Sequence, residues 1–222
     1  VVVPDTVVEI GAYAFQECEG LVEVVLPAGV LRVGQGAFMH CHRLVEVRVP
    51  PLVTTLADRV FWGCSRLRRC SLGAVAAIRA EAFSGCTALA SIDLPRTLVS
   101  VGRSAFERSG LETLVLPPGV REVGRYCFCG CQQLLSAVLS PRLRQLPYWM
   151  LRNCRRLLRV TVPAPAVVVG RYAFSNCERL VQVRFLGLQL ELGRQSFQHC
   201  HRLGAVILPA NTVMASRAFS HC

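Results

Sequence analysis

The stretch "LETLVLPPGVREVGRYCFCGC", residues 111–131, contains two short extended segments followed by a compact apolar segment. Its first part, residues 111–117, combines branched apolar residues with a terminal Pro, which suits a short strand that stops abruptly. The second extended part has the form V-x-x-V-G. The last part contains Phe-x-x-Cys, whose apolar spacing of three to four fits one helical turn. The stretch therefore predicts two short strands and one short helical turn.

The same pattern recurs along the whole chain. Successive anchor residues of the Phe-x-x-Cys motif lie 22 or 23 positions apart over ten copies, of which two are degenerate, with Ser109 in place of Cys and Leu151 in place of Phe. The anchors are Phe15, Phe38, Phe61, Phe83, Phe106, Phe128, Leu151, Phe174, Phe197 and Phe219. A unit this short cannot bury its own apolar face, so it must stack on its neighbours. We predict a solenoid of about ten coils.

The register L-x-x-V-x-L-P, then V-x-x-V-G-x-x-A-F-x-x-C, resembles the BspA-like class of leucine-rich repeats, and the resemblance covers essentially the whole chain. It implies a β-rich α/β leucine-rich repeat solenoid with parallel strands stacked along the axis, as a single domain over residues 1–222. The segments "QLPYWML" (145–151) and "GAVAAIRAEAF" (73–83) depart from the pattern, which puts their local geometry in question. Because no capping segment is visible at either end, we expect an excerpt of a longer protein.

The composition combines 52% hydrophobic residues with a formal net charge of +11, and all 25 basic residues are Arg. Selection for carboxylate or phosphate binding and a GC-rich coding sequence are both explanations for the Arg content. No apolar stretch approaches the ~20 residues that a membrane span needs. No secretory signal is visible in the first residues. Localisation stays unassigned: a ladder of reduced thiols favours the cell interior, while the family resemblance leaves the cell surface open.

Nine of the twelve cysteines occupy one column of the repeat, where we expect a buried ladder of reduced thiols. Parallel side chains at coil spacing hold their Cβ atoms about 4.8 Å apart, which is beyond the usual disulfide range. In "CFCGC", Cys131 belongs to this ladder, Cys127 to a column of small residues and Cys129 to a variable column. We therefore expect Cys129 to be alkylated first and no metal site in this segment. His199 and His221, one coil apart, are a weaker hypothesis for a Zn²⁺ or Ni²⁺ site, with partly solvated turn residues as the alternative.

Catalysis is not expected, because no nucleophile with a base, paired carboxylates or phosphate-binding glycine loop stands outside the repeat register. We expect no cofactor. The first functional hypothesis is a protein–protein interaction scaffold, since a solenoid can vary its surface without touching its core. The second is a cell-surface, adhesin-like or polyanion-binding module for acidic polysaccharide or RNA, motivated by "SRLRRC" (65–70) and "LRNCRRLLR" (151–159). The third is a structural subunit or spacer of a larger assembly.

The candidate binding residues lie two and three positions before the anchors of the central and later copies. Stacked at coil spacing, they make an arginine stripe beside a Tyr-Trp-Tyr stripe, and these residue types are enriched in binding hot spots. We expect this patch to bind a protein partner, an acidic one in particular, or a neighbouring subunit. The partner-binding residues are Arg103, Arg125, Tyr126, Tyr148, Trp149, Arg171, Tyr172 and Arg194.

Overall fold

A computed structural model describes the backbone of residues 1–222 and the side chains of all of them except Ala166 and Ala205. The chain winds through about nine turns of a parallel-strand solenoid. The strands are β1 (Glu9–Ile10), β2 (Arg32–Val33), β3 (Glu46–Arg48), β4 (Thr55–Leu56), β5 (Arg69–Ser71), β6 (Ala77–Ile78), β7 (Ser100–Val101), β8 (Thr113–Val115), β9 (Glu122–Val123), β10 (Ser136–Val138), β11 (Gln145–Leu146), β12 (Arg159–Val162), β13 (Ala166–Val169), β14 (Gln182–Phe185), β15 (Gln189–Leu192), β16 (Ala205–Ile207) and β17 (Asn211–Met214).

The strands form two rows along the solenoid, here called the first and second sheets. The first sheet contains β3 paired with β5, and β8, β10, β12, β14 and β16 in succession. The second contains β1 with β2, then β4, β6, β7 and β9, then β11, β13, β15 and β17. Every pairing is parallel and joins equivalent positions of adjacent coils, as Ala137 and Val160 show. The predicted leucine-rich repeat solenoid is confirmed.

The apolar columns between the two sheets form one continuous core that runs from Val3 to Ala218. The anchors form a ladder of stacked rings, whose centroids are 5.2 Å apart for Phe15 and Phe38 and 5.1 Å apart for Phe83 and Phe106. Leu151 interrupts the ring ladder but is equally buried. Stacking therefore supplies the burial that no single coil could achieve.

The third side of each coil is a turn, not the predicted helical turn. In every copy the second residue before the anchor and the second residue after it have a positive φ, for example Tyr126 (60°) and Gly130 (71°) around Phe128. A helix would require both to be right-handed. The apolar spacing that suggested a helix instead reflects short local bonds such as Cys131 N–H to the Phe128 carbonyl.

Because residues with positive φ alternate with ordinary ones, the backbone N–H groups of the turn can donate hydrogen bonds to the neighbouring coil. The N–H groups of Tyr13, Phe15 and Glu17 donate to carbonyls of the next coil at 2.8 Å. A helical turn would direct those N–H groups back into its own coil. The solenoid thus gains inter-coil hydrogen bonds on its third side, which offset the steric cost of left-handed residues.

The cysteine ladder is buried in the interior of the solenoid, and its thiols are hydrogen-bond donors. Eight of its nine thiols donate to the carbonyl of the anchor in the preceding coil, as Cys154 Sγ does to Phe128 at 3.2 Å. All twelve cysteines are free. The expectation that Cys129 is the most accessible is wrong: Cys129 is only 8% exposed, whereas Cys18 is half-buried and Cys222 is exposed. The terminal coils have a neighbour on one side only, so the ladder is open at its ends.

Candidate binding surface

The candidate surface lies where the chain leaves the second sheet. Strands β9, β11 and β13 each end two residues before a pair of side chains on the turn. In each pair the first residue is exposed and the second, which has a positive φ, is half-buried against its equivalents in adjacent coils. The eight residues chosen from the sequence are called the Arg–aromatic patch.

Three rings of the patch are stacked along the solenoid axis. Tyr126 and Trp149 have centroids 4.8 Å apart with an interplanar angle of 4°, and Trp149 and Tyr172 have centroids 6.1 Å apart at 15°. Tyr148 meets Trp149 edge to face at 5.8 Å. The spacing follows the parallel-strand repeat, so the stack is a direct consequence of the repeat register.

Two arginines of the patch lie on aromatic faces. The guanidinium carbon of Arg125 is 5.0 Å from the Tyr148 ring centroid, and that of Arg171 is 4.8 Å from the Tyr172 centroid. The Arg171 guanidinium also donates to the Tyr172 hydroxyl at 3.1 Å, and that hydroxyl donates to Gln195 Oε1 at 2.8 Å. These contacts hold the cations in place while leaving both arginines exposed.

The structure does not bring Arg103 and Arg194 into the same arrangement. Arg103 forms an ion pair with Glu81 at 3.3 Å, and Arg59 binds the same carboxylate at 2.8 Å. The hydrogen bond from Arg59 holds the pKa of the Glu81 carboxyl below its usual value. Arg194 is exposed at the other end of the patch, beyond Tyr172. The cationic centre of the patch is therefore Arg125 and Arg171.

One cation beside the stack was missed in the sequence. Arg152 follows the anchor Leu151 and lines a cleft of about 360 Å³ together with Trp149 and Tyr172. Its Nε is buried without a hydrogen-bond partner among the described residues. The sequence shows Arg152 three positions after Trp149, in a column whose residues vary. Only the coil geometry shows that this column lies against the aromatic one.

The arginine clusters that motivated polyanion binding are partly neutralised by neighbouring coils. Arg69 pairs with Glu46 at 2.6 Å, and Arg155 pairs with Glu178 at 3.2 Å. Arg156 donates to Gln133 Oε1 at 2.5 Å. Arg66, Arg68 and Arg159 are in no ion pair among the described residues, so the neutralisation is partial.

The two histidines considered as metal ligands are stacked on each other. The rings of His199 and His221 have centroids 4.8 Å apart at an angle of 10°. Their nitrogens lie in nearly parallel planes, so the two lone pairs do not converge on one point. No group of three or more His, Cys, Asp or Glu side chains suited to a metal occurs among the described residues.

Comparison with known proteins identifies the repeat. The family model described as "BspA type Leucine rich repeat region (6 copies)" matches residues 1–109, 72–181 and 99–222. The chain belongs to this BspA-type leucine-rich repeat family. A search of curated proteins found no match. Within residues 1–222, the structure contains no helix that could cross a membrane.

Solved structures of bacterial leucine-rich repeat proteins have a similar fold. A leucine-rich repeat protein from Bacteroides ovatus is 24% identical with a TM-score of 0.76, over 99% of this chain and 69% of that one. The leucine-rich repeat protein of T. pallidum is 28% identical with a TM-score of 0.64, over 81% and 77%. A leucine-rich cell surface protein from Faecalibacterium prausnitzii is 19% identical with a TM-score of 0.53, over 99% and 78%.

Proposed function

We propose that this chain is a non-enzymatic interaction scaffold whose Arg–aromatic patch binds an acidic protein partner. The observation that carries the proposal is the continuous stack of Tyr126, Trp149 and Tyr172 beside two exposed, unneutralised arginines. Binding hot spots combine aromatic residues with arginine, because aromatic rings supply contact area at low conformational cost and the guanidinium supplies several hydrogen-bond donors.

The electrostatics of the patch favour a carboxylate-bearing partner. Arg125 and Arg171 are in no ion pair within the described part of the chain, unlike Arg103. Their guanidinium groups are positioned by ring faces and retain donors for a bidentate contact with a carboxylate. Arg152 lines the cleft next to the stack and adds a further positive charge there.

The two alternatives have less support. A polyanion-binding module gains from unpaired arginines, and two arginines of the sequence clusters, Arg69 and Arg155, are instead neutralised by ion pairs. A pure spacer does not require a stacked row of aromatic side chains at its surface. The cell-surface name of the Faecalibacterium relative is a property of that protein, and at 19% identity the likeness concerns the fold alone.

The test is affinity capture with the purified chain, followed by titration of each captured protein by calorimetry. We expect Trp149→Ala and the double variant Arg125→Glu with Arg171→Glu to weaken binding by about tenfold or more, as for hot-spot residues. The matched control is Arg159→Glu with Arg184→Glu on the first sheet, which changes the charge equally and should leave affinity within about twofold.

Circular dichroism and thermal unfolding establish that each variant is folded. Folded patch variants that bind every captured protein as tightly as the parent would exclude the patch. A salt series separates the partner classes, because counterion release makes polyanion binding fall steeply with salt.

A further inference from the structure

The charges of the chain are segregated along the solenoid axis. Residues 1–31 contain five carboxylates and no arginine, whereas residues 121–184 contain eleven arginines and two carboxylates. In the coils between them, Glu81 is bound by Arg59 and Arg103, and Asp58 accepts a hydrogen bond from the Ala80 N–H at 2.9 Å. The coils therefore change from acidic through balanced to basic along the axis.

The first coil presents unpaired carboxylates on its turn side. Glu17 and Glu19 follow the anchor Phe15, are exposed, and form no ion pair within the described part of the chain. Tyr13, two residues before the anchor, is 43% exposed, and its hydroxyl accepts a hydrogen bond from Gln35 Nε2 at 2.7 Å. Tyr13, Glu17 and Glu19 are here called the acidic turn. It combines ring area with negative charge, as the Arg–aromatic patch combines ring area with positive charge.

The acidic turn and the Arg–aromatic patch cannot meet within one chain. The anchors Phe15 and Leu151 are six repeats apart, which corresponds to about 29 Å at the spacing of parallel strands. Hydrogen bonds between adjacent coils fix this separation. Charges separated by more than about 8–10 Å are largely screened at physiological ionic strength, so the acidic turn does not neutralise the patch of its own chain. The complementary charge has to come from another molecule.

A second copy of the chain supplies the missing charge to both surfaces at once. When two chains face each other by their turn sides across a two-fold axis at the coil of Phe83, the coil of Phe15 in each chain lies opposite the coil of Leu151 in the other. Such a contact is isologous, so the pairing of acidic turn with Arg–aromatic patch occurs twice. Near the axis, the ion pairs of Glu81 reduce like-charge repulsion. An unrelated acidic protein would leave the acidic turn unused.

We propose that the acidic partner of the Arg–aromatic patch is the acidic turn of a second copy, so that the chain forms an antiparallel two-fold dimer. The inference rests on the proposed function, because it names the partner of the same patch. Arg125 and Arg171 bind the carboxylates of the other copy, and its Tyr13 adds ring area beside the aromatic stack. The net charge of +11 opposes association at long range, but salt screens that repulsion while the short contacts remain.

The test is sedimentation velocity of the purified chain at low salt and micromolar concentration. We expect a species of twice the 24.4 kDa chain mass. Two charge reversals, Arg125→Glu with Arg171→Glu in the patch and Glu17→Arg with Glu19→Arg in the acidic turn, should each weaken dimerisation by about tenfold or more. An equimolar mixture of the two variants should recover dimers to within about threefold of the parent affinity, because each surface then faces opposite charge again.

The matched controls change the charge equally outside the turn side. Arg159→Glu with Arg184→Glu, and Glu112→Arg with Glu191→Arg, alter exposed residues in or beside the two sheets and should keep dimerisation within about twofold of the parent. Circular dichroism establishes that each variant is folded. A parent that stays monomeric, a dimer that survives both reversals, or a mixture that stays monomeric overturns the inference. Assemblies larger than dimers overturn the two-fold arrangement.

Failure of this inference is distinguishable from failure of the proposed function. A monomeric parent whose Arg125/Arg171 variant loses affinity for a captured protein shows that the patch binds a different partner, which overturns the second copy as occupant and supports the proposed function. A dimer that is lost in the Glu17/Glu19 variant but kept in the Arg125/Arg171 variant shows that the acidic turn binds another surface, and this result also overturns the inference.

Discussion

The thiol of Cys131 donates a hydrogen bond of 3.1 Å to the carbonyl oxygen of Phe106 in the preceding coil. The same relationship recurs from Cys41 with Phe15 to Cys222 with Phe197. The ladder residue is therefore more than a small apolar filler, because its S–H donates a second hydrogen bond to a carbonyl oxygen that already accepts one from a backbone N–H of its own coil. Ser109, the one substitution in this column, keeps a hydroxyl that lies 3.3 Å from the Cys131 thiol.

The order of thiol labelling follows the position of each cysteine in the solenoid. We expect brief treatment with iodoacetamide at pH 8 to label Cys222 first and Cys18 next, because only these two are not buried. Burial raises the pKa of Cys129 to about 11 and that of Cys131 to about 12, which keeps both thiols protonated. Mass mapping of the labelled peptides gives the order; modification of Cys131 before Cys222 in folded protein contradicts it.

Alkaline pH should destabilise the chain through its buried thiols. Burial raises the folded-state pKa of Cys200 to about 12 from an ordinary value of 9.0. The unfolded state then binds fewer protons above pH 9, so the stabilising contribution is complete below that pH and is lost as pH rises toward 12. Each such thiol lowers the free energy of unfolding by about 1.4 kcal/mol per pH unit in this range.

The measurement is denaturant unfolding at pH 7.5, 9 and 10 for the parent and for Cys177→Ala. The variant lacks one buried thiol, so its stability should fall less steeply with pH above 9 even though it is less stable at pH 7.5. If the free energy of unfolding falls equally steeply with pH in the two proteins, the buried thiols do not cause the loss of stability at alkaline pH.

Removal of one internal anchor should damage more than one coil. Phe174 is fully buried and stacked on Phe197 at 4.8 Å, so Phe174→Ala leaves a cavity between coils and should cost about 3–5 kcal/mol. Phe219→Ala at the end of the ladder is the matched control and should cost less, because that ring is only partly buried. Hydrogen exchange should increase in the coils on both sides of Phe174; exchange confined to its own coil argues against a cooperative stack.

The left-handed turn positions predict opposite effects for two substitutions in the same column. Arg108 has φ of 55° and Gly130 has φ of 71°. Arg108→Gly should raise the free energy of unfolding by up to about 1 kcal/mol, because it removes the steric cost of a side chain in this region. Gly130→Val should lower it by about 1–2 kcal/mol, since a branched Cβ is unfavourable at positive φ. Thermal unfolding measures both, and the same sign for the two changes contradicts the turn geometry.

The sequence by itself determined the solenoid, the buried columns and the family, because each depends on a spacing of 22 or 23 residues that is visible along the chain. It also brought Tyr126, Trp149 and Tyr172 into one column, and parallel pairing at the strand repeat made their stacking a necessary result. These features follow from the repeat spacing, which can be read along the sequence without knowledge of the fold.

Only the tertiary structure decided what depends on contacts between different columns and on backbone conformation. The turn around Phe128 is left-handed at two positions because its N–H groups bond to the next coil, a demand that a local apolar spacing does not reveal. Arg103 is neutralised by Glu81, and Arg152 meets the aromatic stack, because neighbouring coils place different columns side by side. The cleft beside Pro147 likewise joins residues of two neighbouring coils, Arg121 of one and Arg142 and Arg144 of the next, which the sequence does not place together.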